Sequence, residues 1–190
     1  MRFNLSAPFA VVAFVFTIIF STEISAQINI GKPKEKPPLE NPYTVNVPRE
    51  QIAKEIQDIL KTCNVEIDVD KTKVEKGRFV TKPWLFTRGV NAKTDLEYVS
   101  NLPASDARNW LKGRYTLEIN ILPLDEKRSQ LQVIAYIQGQ IAEMVGTKWI
   151  DSPSNGRLED DALRGMAGKI LGLDLSLKGT GKRRLMNCEY

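Results

Sequence analysis

Residues 114–141 read RYTLEINILPLDEKRSQLQVIAYIQGQI. Tyr115, Leu117, Ile119 and Ile121 alternate with Arg114, Thr116, Glu118 and Asn120. After a charged turn from Pro123 to Ser129, Leu131, Val133, Ala135, Ile137 and Ile141 keep the same two-residue step. Successive strand side chains point to opposite faces, so this pattern specifies an antiparallel hairpin of two long strands with one buried face. Gly139 is expected to mark a bulge.

A buried face of that length needs a cover, and the flanking sequence offers two amphipathic helices. Over residues 48–63, Ile52, Ile56, Ile59, Leu60 and Cys63 recur at three- and four-residue steps, Pro48 suits the start and Asn64 the stop. Over residues 157–171, Leu158, Ala162, Leu163, Met166, Ala167, Ile170 and Leu171 form the stripe, and Gly172 ends it. Gly165 and Gly168 weaken this helix and point to close approach to a sheet. Glu159, Asp160 and Asp161 read as a solvated first turn in which negative charge suits the helix dipole.

Two further strands are expected. Val65, Ile67 and Val69 alternate with Glu66, Asp68 and Asp70, and Arg78 to Phe86 forms a second run that Pro83 bends or confines to an edge. Lys148 to Asp151 can extend the sheet, with Trp149 as an anchor. Residues 87–109 have no clear period and read as a long connection containing the apolar group Leu96, Tyr98, Val99 and Leu102. The resulting fold class is α+β: a four-stranded antiparallel sheet, five with Lys148–Asp151, whose N- and C-terminal helices pack on one face in a helix-grip-like arrangement.

The ends of the 190-residue chain differ from its middle. Arg2, the apolar run from Phe9 to Phe20 and the small polar exit from Ser21 to Ala26 form a secretory signal pattern, so residues 1–26 are expected to be removed. The apolar run falls short of the roughly 20 residues a membrane span needs. No cysteine lies near the cleavage site, so no lipidated N-terminus is expected. Residues 27–43 hold Pro33, Pro37, Pro38 and Pro42 among lysines and read as a semi-extended tether. Residues 44–172 form the single domain, and 173–190 a basic flexible tail. The formal charge of +4 resides in the tether and tail and leaves the domain neutral, which argues against nucleic-acid binding. The tail could touch an anionic membrane peripherally. The expected location is exported, periplasmic or secreted, with association with the outer membrane admitted.

The chemistry available is narrow. The chain has no histidine, which excludes Ser-His-Asp and Cys-His sites. It has no Ser-x-x-Lys pattern either, and Gly179-Thr180-Gly181-Lys182 lacks the spacing of a phosphate loop. The carboxylate groups lack the loop spacing of a calcium site. No catalytic residue, metal site or cofactor is expected. Cys63 and Cys188 can pair in an oxidising compartment, or Cys63 can be a buried apolar residue and Cys188 free. Trp84, Trp110 and Trp149 read either as core anchors or as the lining of a groove for a small apolar ligand. Ile134 and Tyr136 interrupt a polar row on the other face of the hairpin and, with Leu96, Tyr98, Val99 and Leu102, are candidate partner contacts.

Four segments, VPREQIAKEIQDIL (47–60), GRFVTKPWLF (77–86), GRYTLEINILPLDEKRSQLQVIAYIQGQI (113–141) and GRLEDDALRGMAGKIL (156–171), resemble the helix-grip domain of BamC-type outer-membrane assembly lipoproteins over about residues 44–172. The resemblance implies an exported, non-enzymatic accessory role near the outer membrane with an envelope protein as partner. This chain departs from that family in having no lipidation cysteine and one such domain where those proteins carry two. The alternative function is binding of a small apolar ligand in a helix–sheet groove.

Overall fold

The computed structural model describes residues 37–103 and 105–175. In chain order the elements are β1 (Tyr43–Val45), α1 (Arg49–Thr62), β2 (Arg78–Val80), β3 (Trp84–Arg88), α2 (Ala92–Val99), β4 (Trp110–Pro123), β5 (Ser129–Ala142), β6 (Thr147–Ser152) and α3 (Arg157–Leu171).

The alternating stretch forms the centre. β4 and β5 pair antiparallel from Trp110↔Ile141 to Pro123↔Ser129. Asp125 fixes their turn, its Oδ1 accepting the N–H groups of Lys127 (2.9 Å) and Arg128 (2.8 Å). Each long strand carries two short strands end to end on its outer edge: β2 and β3 on β4, β1 and β6 on β5. The open antiparallel sheet therefore has six strands but is four wide at either end. This corrects the expected count of four or five: a long central strand can satisfy two separate short neighbours along one edge.

The odd-numbered row is buried, with Tyr115, Leu117, Ile119 and Ile121 of β4 beside Leu131, Val133, Ala135, Ile137 and Ile141 of β5. These side chains share one cluster with Ile52, Ile56 and Leu60 of α1, Leu96 and Val99 of α2, and Leu158, Leu163 and Met166 of α3. Each large member contributes about 1.5–3 kcal/mol relative to exposure. α1 and α3 lie where their periodicity predicts. Both end in a left-handed residue, Asn64 (φ 51°) and Gly172 (φ 64°), and the next N–H turns back to the helix, Val65 to Leu60 and Leu173 to Gly168.

Several expectations are corrected. Residues 65–69 form no strand. Ile67 makes a single bridge to Thr81, the chain turns at Asp68, whose carbonyl accepts the N–H of Thr72, and Val69 is exposed. Pro83 splits the run 78–86 into β2 and β3. The connection 87–109 contains α2, whose Ala92, Leu96 and Val99 form a short buried stripe. The described part of the proposed tether is attached to the domain: Tyr43 opens β1 and Leu39 packs against the core. Gly139 marks no bulge, since pairing is regular through Gly113↔Gly139 and the irregularity falls between Trp110 and Lys112. A Cβ at Gly139 would lie 2.1 Å from the Trp110 ring, so this glycine makes room for an indole. Gly168 serves the helix's own exit, because a Cβ there would lie 2.7 Å from the Leu173 carbonyl.

Candidate functional site

The even-numbered row of β4 and β5 forms the other side of the sheet, and it is knit by side chains. One chain of contacts crosses three strands: Arg114 Nε donates to Gln138 Oε1 (2.9 Å), and Gln138 Nε2 donates to Asp151 Oδ1 (2.8 Å). The Arg114 guanidinium also lies 4.0 Å from the centre of the Trp149 ring. Toward the other end, Glu118 accepts from Arg78 (2.9 Å), Asn120 (3.2 Å) and the Tyr136 hydroxyl (3.2 Å), and Asn120 donates to Gln132 (3.3 Å). Burial pushes the Glu118 carboxyl up, but the hydrogen bonds from Arg78, Asn120 and Tyr136 and the Arg78 charge outweigh it and hold the group below its ordinary range. Tyr136 moves the opposite way, raised by burial and by the Glu118 charge beside it.

Set into this network are apolar groups that no helix buries. Tyr136 is 52% exposed and Leu85 45% exposed, and Ile134 is half-buried. Leu85 pairs with Arg114, which places it in the same row. The sheet thus offers a polar lattice carrying Leu85, Ile134, Tyr136 and the Arg114–Trp149 pair.

The structure sorts the sequence candidates. Ile134 and Tyr136 lie on this face. Leu96 and Val99 do not offer contacts, because both are core residues of α2. Tyr98 and Leu102 are half-buried and pack against the core, and Arg157 lies 4.5 Å from the centre of the Tyr98 ring. The three tryptophans do not share one groove. Trp84, opposite Tyr115, and Trp110, opposite Ile141, face the core, whereas Trp149, opposite Gln140, lies on the even-numbered side. Cys63 is buried at the end of α1 and is not a free thiol; Cys188 lies outside the described residues. The leader and residues 176–190 of the tail also lie outside them. Leu85 and Arg114 were missed as site residues. They stand abreast only through the β3–β4 register, which the sequence pattern does not carry.

The acidic turn at 159–161 is no solvated face. Glu159 accepts the Ala135 backbone N–H (3.2 Å) and the Ser154 hydroxyl (2.7 Å). Asp160 accepts from the Leu39 N–H and from Arg164 Nε, both at 2.7 Å. Arg164, buried, also donates to the carbonyls of Pro37 (2.5 Å) and Leu175 (3.3 Å). Asp161 is half-buried, and that burial, with the Asp160 charge, pushes its carboxyl up to about 6 against the pull of Arg164 and Arg157. Before β4, Arg108 chelates Asp106 and holds its carboxyl down at about 2. The Trp110 indole N–H adds to that depression although it makes no bond of standard geometry.

Comparison with known proteins finds no matching family model, curated sequence or solved structure.

Proposed function

We propose that this chain is an exported, non-catalytic interaction protein of the cell envelope, BamC-like in kind. In this reading its helices form a helix-grip layer over one side of the sheet, and the even-numbered side receives an envelope protein. The observation that carries the reading is the exposed pair Leu85 and Tyr136, with half-buried Ile134, set on one side of the sheet in a hydrogen-bonded lattice. Side chains already held by strand partners lose little freedom on docking, and interface centres are enriched in aromatic residues and arginine, which Tyr136, Trp149 and Arg114 supply here. The signal-like start, the proline-rich stretch, the lack of histidine and the four segments resembling BamC-type domains support the same reading.

The test is affinity purification from envelope fractions with the wild-type chain and with a Leu85→Glu/Tyr136→Glu variant. A partner retained by the wild type should be lost by the variant at unchanged melting temperature. If every partner survives both substitutions, the face is wrongly assigned. Mass spectrometry of the mature N-terminus tests the export reading, which expects Gln27 as the first residue.

A further inference from the structure

One end of the sheet carries apolar side chains that nothing in the fold uses. β3 runs toward that end, and after Arg88 the chain turns through Gly89 (φ 74°), leaving Val90 98% exposed. β5 finishes at the same end and returns as β6, since Ala142 pairs with Thr147. Their link is closed by the Glu143 N–H donating to the Gly146 carbonyl (3.1 Å), with Gly146 at φ 85°. That tight turn holds Met144 and Val145 outward, 105% and 91% exposed. The same strand ends carry Arg88, Lys112 and Lys148, all exposed and in none of the ion pairs described here. The acid on the 143–146 link is Glu143, and Asp106 ahead of β4 is already taken by Arg108.

Two separated apolar tips, with Arg88 and Lys112 abreast on the even-numbered side of the sheet and Lys148, opposite Ile141, on the other, do not make the continuous patch that a protein interface of standard size requires. They do fit a fluid surface that is apolar beneath and negative at its boundary. We propose that this end of the sheet docks on an anionic lipid bilayer, with Val90, Met144 and Val145 entering the headgroup–acyl boundary and Arg88, Lys112 and Lys148 meeting lipid phosphates. The inference stands apart from the protein-docking face, and the two fail separately.

The experiment places a fluorophore at the tip of the full chain by Val145→Trp. Its emission, taken as the difference from the unsubstituted chain, is followed with phosphatidylcholine vesicles and with vesicles that also contain phosphatidylglycerol. The difference emission should shift to the blue and be quenched by brominated acyl chains with the anionic vesicles only. Lys112→Gln/Lys148→Gln should weaken the anionic-vesicle titration roughly 25-fold, at about fivefold per lost charge. Met144→Ser in the Val145→Trp background should reduce the quenching. A chain that binds vesicles through its basic tail, or through any other segment, leaves the position-145 signal unmoved and overturns the proposal. An equal shift with uncharged vesicles, or a titration indifferent to both lysines, overturns the part assigned to the cations.

Discussion

The two edges of the central hairpin solve one problem by different means. On β4, the short strands β2 and β3 leave Leu117 between them, and Thr81 closes the gap. Its N–H donates to the Leu117 carbonyl (2.9 Å), and its hydroxyl oxygen accepts the Leu117 N–H (2.9 Å). On β5, the gap between β1 and β6 runs over residues 132–136. There the Asn41 amide takes both backbone groups of Val133 (2.6 and 3.1 Å), and Glu159 takes the Ala135 N–H (3.2 Å). The β4 edge is completed by a residue next to β2 that is almost wholly buried. The β5 edge is completed by side chains alone, from Asn41, exposed just before β1, and from Glu159 of α3. An unpaired backbone group costs little where water can reach it and much where it cannot. One edge is therefore dry and closed by a single residue, the other wetter and closed by two segments, before β1 and in α3, that must both be in place.

The largest test of that contrast is Arg164→Ala. It strands the Asp160 carboxylate and frees the segment that carries Asn41, so we expect a loss of about 3–5 kcal/mol in denaturant unfolding. Hydrogen exchange should rise at Val133 and not at Leu117; an equal rise at both would show that the edges are not separate. Asp161→Asn should act in the opposite sense. The folded state holds a proton on Asp161 up to about pH 6, whereas the unfolded chain releases it near 3.8, so stability falls as pH rises through that window. The amide should leave stability little changed at pH 4 and raise it by about 2–3 kcal/mol at pH 7.5, tightening the helix that supplies Glu159. A gain independent of pH would show that the carboxyl is not the cause.

Thr81→Val and Asn41→Ala form the direct pair. The valine leaves the Leu117 N–H dry and unpaired, at an expected cost of about 2 kcal/mol. The alanine hands the Val133 groups to water, at about 1 kcal/mol, with faster exchange at Val133. If Asn41→Ala proves the costlier of the two, the distinction between dry and wet edges is wrong.

What the sequence made legible follows from the length of its signals. The hairpin of β4 and β5 repeats its alternation over fourteen residues per strand, and α1 and α3 repeat theirs over three or more turns, so their positions were readable. α2 has eight residues, and its stripe of Ala92, Leu96 and Val99 repeats too few times to stand out from a loop. β1 and β2 have three residues each, and such strands exist because a long neighbour lends them hydrogen bonds. The alternation at 65–69 misled because Val65 and Ile67 do pack inward while Val69 points to solvent within the turn from Asp68 to Thr72. Ile134 and Tyr136 were recognisable as a break in a polar row. Their companions Leu85 and Arg114 were not, because which residues stand abreast depends on register and on the shift between Leu85 and Thr87. Glu159, Asp160 and Asp161 looked equivalent in sequence, and only the neighbouring segments give each a different task.

The Arg164 guanidinium grips the carbonyls of Pro37 and Leu175 at once, so the two exits of the domain leave from one spot beside α3. Losing that one guanidinium would therefore unclasp both described ends of the domain together.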